Sequence, residues 1–271
     1  MEILARGAAG GSAGNRSWAE IDREGGTLSK MKNGEENAKS TLRKRFESFV
    51  KTLDGFEDID ALLRNSKDLD GKMRADYLFQ RRQIIVEQKT LVSNPVDKPQ
   101  KFAGKMMRDR GLVLMGTAST QRIFSGQPDA SSLQRKLMLS IAKTIDDDVA
   151  KADKQTRDTR LIFSIPDAVG MIVFLNEGAE ILASDMIHYA LCNTFQKRTE
   201  GGVLRYTQND GVILISEAHT VPIPGVLRAY PIHTFTSPQT KSADIVVAFS
   251  DMLTKRWATF NHAPLIKESR N

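Results

Sequence analysis

The chain has 271 residues, 40% hydrophobic and 27% charged; these are globular proportions, and they exclude a disordered or fibrous chain. No run approaches the roughly 18 apolar residues of a membrane span, and Ile3-Leu4-Ala5 before Arg6 is too short for a signal-peptide core. The single cysteine, Cys192, excludes an internal disulfide framework and a cysteine-based zinc site and points to a reducing, cytoplasmic setting, while a net charge of +6 permits a polyanionic partner without demanding one.

In chain order, residues 1–34 read as a flexible tail, punctuated by Gly7, Gly10, Gly11, Gly14, Gly25, Gly26 and Gly34. Residues 35–271 are expected to form a single α/β domain. Leu42, Phe46, Phe49, Val50 and Leu53 mark one face of an amphipathic helix, with Asp54-Gly55 as its stop. Two β-type runs, Arg74–Phe79 and Gln83–Leu91, read as a hairpin. A basic helix is expected over 100–110, then a Gly/Ser/Thr-rich loop over 111–131 with one strand at Leu112–Met115.

The spacing of Leu133, Leu137, Ile141, Ile145, Val149 and Ala152 predicts a long helix from about Ser132 to Arg160. Val169–Leu175 is a continuous apolar run of strand length, as a strand buried on both faces would be. Ser184–Gln196 reads as a helix capped by Ser184, Gly211–Ser216 and Gly225–Tyr230 as strands, and Ala243–Phe260 as a last helix. The order predicts a mixed sheet flanked by helices.

Chemistry concentrates in the hairpin. Side chains alternate across a strand, so Glu87 and Lys89 share one face while Ile84, Val86 and Gln88 take the other. A two-residue loop at Arg81-Arg82 sets paired positions to sum to 163, which puts Phe79 opposite Ile84 and Asp76 opposite Glu87. Arg-Arg is not a favoured tight-turn pair, so a longer loop with a shifted register is the alternative. Two facing carboxylates repel unless a cation lies between them. Mg²⁺ suits the position, since it takes one or two carboxylates and completes its shell with water and phosphate oxygens. Lys89 is placed to orient a water or to stabilise developing negative charge. Phosphodiester hydrolysis is the reaction these residue types fit; the competing reading is an exposed charged sheet face with one cross-strand ion pair.

Asp76, a short hairpin, and Glu87-x-Lys89 at the end of an apolar strand resemble the motif of the PD-(D/E)xK nuclease superfamily, and the order of elements is similar from about Lys39 to Glu177. The position before Asp76 holds Ala75 where the motif has proline, and Ile59–Leu63 is a poor candidate for the first core strand. The resemblance implies a restriction-endonuclease-like fold, a mixed sheet flanked by helices, and Mg²⁺- or Mn²⁺-dependent cleavage of nucleic acid, DNA in the first instance, by an endonuclease. Its implied ligands are Asp76, Glu87 and the backbone carbonyl of Gln88, with Lys89 as the catalytic partner. Glu47 on the first helix and Gln155 on the long helix are implied auxiliaries, although the residues alone favour a solvated polar position for Gln155. The alternative is a non-catalytic nucleic-acid-binding or interaction module on the same fold.

Arg43, Lys44, Arg45, Lys101, Lys105, Arg108 and Arg110 are the residues that would track a phosphate backbone, although a charge run is commonly a solvated face. A second copy of the chain is a further candidate partner. His188, His219, His233 and His262 lack metal-site spacing, Cys192 among Ala190, Leu191 and Phe195 reads as a small core residue, and neither GxxxxGK[ST] nor GxGxxG occurs.

Overall fold

The computed structural model describes residues 2–6, 41–64, 72–91, 97–111, 127–224, 226 and 228–267. In chain order the elements are β1 (Glu2–Arg6), α1 (Leu42–Val50), β2 (Glu57–Asp58), α2 (Ile59–Leu63), β3 (Tyr77–Phe79) and β4 (Ile84–Thr90). There follow α3 (Asp97–Asp109), α4 (Ala130–Phe163), β5 (Val169–Asn176), α5 (Ser184–Phe195), β6 (Gly211–Ser216), β7 (Arg228–Thr236), α6 (Ala243–Phe260) and β8 (Leu265–Lys267). Eight strands form one mixed sheet in the order β2-β3-β4-β5-β6-β7-β1-β8. Its centre, β4-β5-β6, is parallel, and antiparallel strands extend it on both sides. All eight residues of β5 are buried, as its unbroken apolar run requires of a strand covered on both faces.

Helices cover the sheet on both sides. On one face α1 supplies Leu42, Phe46, Phe49 and Val50, and α6 supplies Val246, Phe249, Leu253 and Trp257. These pack on Ile84, Val86, Met171, Val173 and Ile213, with the Phe49 and Trp257 rings 5.1 Å apart. On the other face Ile141, Ile145, Val149 and Ala152 of α4 and Ile187, Ala190 and Leu191 of α5 pack on Ile172, Phe174, Val212 and Leu214. The expected helical stripe is thus the buried face of α4, except that Leu137 is only partly covered. Helix α3 joins α4 through Ala103, Met106 and Leu133. α4 ends where Ser164 enters the left-handed region at φ 55° and Ile165 N–H donates back to Arg160 O at 3.0 Å.

Some expectations change, among them the first strand of the hairpin, which begins at Tyr77 and not at Arg74. Residues 2–6 are no tail: they form β1, paired with β7 on one side and β8 on the other. Five residues carry too little alternation to mark a strand, and both partners come from residues 228–267. Residues 7–40 lie outside the described residues, as does the strand expected at Leu112–Met115. Ile59–Leu63, a poor strand candidate from its sequence, is indeed a helical turn, which the Asp58 carboxylate caps by accepting Ala61 N–H at 2.9 Å. The N-cap of α5 is Ala183, and Ser184 is already helical. The last strand of the expected set, Gly225–Tyr230, starts at Arg228 and runs on to Thr236.

Among the described residues, no helix is long and apolar enough to cross a membrane.

Candidate active site

The hairpin pairs Tyr77 with Val86, Leu78 with Ile85 and Phe79 with Ile84, the register in which opposed positions sum to 163. Its tip achieves this at a local cost. Gln80, Arg81 and Arg82 take φ of 50°, 56° and 66°, and Gln83 N–H closes on Gln80 O at 3.3 Å. A tight hairpin loop needs positive φ at its central residues, which costs non-glycine residues roughly 1–2 kcal/mol each.

β3 begins at Tyr77, one residue after Asp76. Asp76 N–H donates to Val86 O at 3.2 Å, and the Asp76 carboxylate accepts the Gln88 N–H at 2.6 Å. The carboxylate therefore hangs over the edge of β4 that β3 leaves uncovered. The N–H and C=O of one strand residue point to the same side, so the Gln88 carbonyl faces that edge as well. Ile85, Glu87 and Lys89 project to the α4 side, while Ile84 and Val86 enter the α1/α6 core.

α4 fastens this group. Lys89 Nζ donates to Glu87 Oε1 at 2.6 Å and to Gln155 Oε1 at 2.7 Å. Gln155 Nε2 donates to Arg74 O at 2.8 Å. One turn along, the buried Thr159 hydroxyl accepts Ala75 N–H at 2.8 Å. Residues 155 and 159 lie i, i+4 on one helix face, and together they hold the peptide that leads into Asp76. Gln155 is thus not a solvated polar position but a half-buried link between Lys89 and the peptide before Asp76. Thr159 is an addition to the expected set, and its spacing from Gln155 is a readable signal once Gln155 is placed.

Electrostatics single out Glu87, which is 2% exposed. Burial pushes its carboxyl up to about 8, and the nearby Asp76 charge pushes the same way while Lys89 opposes. Burial also raises Asp76, against the Gln88 N–H and Lys89. On α4, half-buried Asp148 is raised by burial, with Lys89 again opposing; within the run Asp146-Asp147-Asp148 no sequence signal sets it apart. Glu87 Oε2 is buried without a hydrogen-bond partner, a costly state for a carboxylate oxygen.

A hard cation fits here. Among the described residues, no group of three or more His, Cys, Asp or Glu side chains gathers for a metal. What the edge of β4 offers is two carboxylates and a peptide carbonyl, the sparse oxygen set that Mg²⁺ accepts when water and substrate phosphate complete its shell. An ion there would give Glu87 Oε2 its missing partner.

The remaining candidates are spread around this centre. Glu47 is bound to Arg43 at 2.7 Å on α1, and both charges act on the Asp76–Tyr77 corner, with Arg43 favouring the Asp76 carboxylate. Lys44 is exposed on α1. Lys101, Lys105 and Arg108 form an exposed stripe on α3 at i, i+4, i+7. Arg110 holds Asp129 at 2.6 Å. Arg45 is no backbone tracker: it is buried, ion-paired with Glu217, bonded to Asn261 Oδ1 at 3.1 Å, and over the Trp257 ring. Cys192 is not a core residue but exposed, its Sγ 3.5 Å from His188 Nε2 in a cleft between α5 and β7.

No protein-family model, curated protein or solved structure matches this chain.

Proposed function

We propose that this chain is a metal-dependent phosphodiesterase of the restriction-endonuclease-like kind, acting on DNA as an endonuclease. The observation that carries the reading is the buried, unpartnered Glu87 Oε2, beside a second carboxylate and a lysine that α4 holds in place. Asp76, Glu87 and the Gln88 carbonyl would hold Mg²⁺ or Mn²⁺. Bound there, the ion supplies Lewis-acid polarisation of a phosphate oxygen and a lowered pKa for a coordinated water.

The chain's own residues do the rest. Asp76 and Glu87, by holding the ion, would set where the scissile phosphate sits relative to β4. Lys89, fastened by Gln155, presents its ammonium toward the phosphate oxygens as negative charge builds on them during attack by water. The P–O bond to the leaving oxygen breaks, and the proton lost by the attacking water passes to solvent or the leaving oxygen. At neutral pH the Glu87 carboxyl must first give up its proton, which cation binding favours.

The Lys89–Glu87 ion pair at 2.6 Å also suits a second reading, a nucleic-acid-binding module in which the pair is structural. One experiment separates them. Plasmid, linear duplex and single-stranded DNA are incubated with Mg²⁺, with chelator, and with Glu87→Ala. The enzyme reading requires cleavage with Mg²⁺ alone and none by the variant. Binding without cleavage by the native chain assigns the module.

A further inference from the structure

Arg74 lies two residues before Asp76, and its main chain is built into the site. Its carbonyl accepts Gln155 Nε2 at 2.8 Å, and the next N–H donates to Thr159 at 2.8 Å. Its side chain is not built in. The guanidinium reaches Asp60 on α2, Nε to Oδ1 2.6 Å, with side-chain exposures of 35% and 74%. An exposed ion pair of this kind holds its partners weakly.

Asp60 follows Ile59, whose N–H donates to Asp76 O at 3.1 Å, and its charge acts on the Asp76 carboxyl, so the pair lies beside the peptide that carries Asp76. A second pair whose arginine acts on Asp76 has the same construction: Arg43 on α1 holds Glu47 at 2.7 Å, with the arginine 64% exposed. Lys89 uses two of its three donors on Glu87 and Gln155, which leaves one for the scissile phosphate and none for its neighbours. A polyanion approaching Asp76 and Glu87 therefore meets cations already paired with acids, and needs ones that can let go of them. Arg74 has a fixed backbone, a planar fork suited to phosphate oxygens, and a loosely held partner.

We propose that Arg74 grips a phosphate adjacent to the scissile one, and that Asp60 is a stand-in anion that keeps the guanidinium aimed until substrate displaces it. This rests on the phosphodiesterase reading above. The Asp60 carboxylate and the incoming phosphate compete for the same guanidinium, so loss of the acid and loss of the base have opposite consequences for binding. An ion pair that only braces the fold gives the same consequence for both.

The test uses the full chain with a fluorescein-labelled DNA duplex. Binding is followed by anisotropy in Ca²⁺ across a salt series, and cleavage by steady-state kinetics in Mg²⁺. Arg74→Gln should weaken binding about tenfold, the worth of one charge-assisted contact. It should flatten the slope of log K against log salt by about 0.9, and raise KM with kcat little changed. Asp60→Asn should tighten binding severalfold, and Arg74→Lys should recover part of the affinity. Thermal melts of each variant confirm that the fold is intact. Wild-type binding by Arg74→Gln, or weakening by both Arg74→Gln and Asp60→Asn, overturns the proposal while a cutting wild type leaves the phosphodiesterase reading standing. A wild type that neither binds nor cuts duplex fails both.

Discussion

Lys89 and Gln155 are joined by a 2.7 Å hydrogen bond from ammonium to amide oxygen, while the other end of the Gln155 amide holds Arg74 O. These two bonds fix which way the amide points. They also make Gln155 a splint between Lys89 and the peptide leading into Asp76. Gln155→Ala should lower kcat more than it raises KM, because Lys89 loses its aim and not its charge. It should also cost about 1–3 kcal/mol in urea unfolding, since a half-buried carbonyl and ammonium each lose a partner. An unchanged kcat would remove Lys89 orientation from the account.

Glu87 gives a pH dependence of definite sign. Its carboxyl titrates near 8 in the folded chain against 4.5 ordinarily. Between those values the folded state holds a proton the unfolded state has lost. The stabilisation is fully present below about 4.5 and disappears as pH rises through 8. In chelator, the melting temperature should therefore decline from about pH 5 to about pH 9, and Glu87→Gln should flatten the decline and exceed wild type at the alkaline end. A wild type whose stability climbs across that window, with Glu87→Gln parallel to it, contradicts the buried acid.

Gly170 in β5 has no room for a side chain. A Cβ there would lie 2.1 Å from Gln208 O, because residues 208–210 close tightly on the strand, with Asp210 N–H on Gly170 O at 2.7 Å. Gly170→Ala has to move backbone, and should cost at least about 1–3 kcal/mol by chemical denaturation. Indifference to the change would mean that the loop does not sit on β5.

Deleting residues 1–6 tests the inner position of β1. The strand lies between β7 and β8, so its loss unpairs both. The melting temperature should drop by more than about 5 °C, a shift worth over 1 kcal/mol in a chain of this size. An unshifted melt would return these residues to the status of a tail.

Much of this arrangement is legible in the residues alone. The alternation of β4 puts Glu87 and Lys89 on one face, and the hairpin register follows from Phe79 meeting Ile84. The stripe on α4 announces a buried helix because its signal is local and repeats over many turns. What escapes is set by distance along the chain. The burial of Glu87 has no local signal, because it comes from α4 covering the strand. Arg45 reads as solvated because Glu217, its partner, is 172 positions away. Cys192 sits among apolar neighbours, yet Ile187, Ala190, Leu191 and Phe195 take the sheet-facing arc of α5 and leave it outside. Glu2–Arg6 has no local feature that foretells its partners.

The place of β1 also sets an order of events during synthesis. Leu4 pairs with Tyr230 and with Leu265, so the strand made first waits for strands more than two hundred residues behind it. At about 5–20 residues per second, that wait is on the order of 10–45 s on the ribosome. Through that interval β2 to β6, with the hairpin and α4, can assemble around Asp76 and Glu87, whereas the far side of the sheet cannot close. Contacts of such separation also slow refolding of the finished chain. The half that carries Asp76, Glu87 and Lys89 is thus expected to mature early, with the closure of β7, β1 and β8 as the last and slowest step.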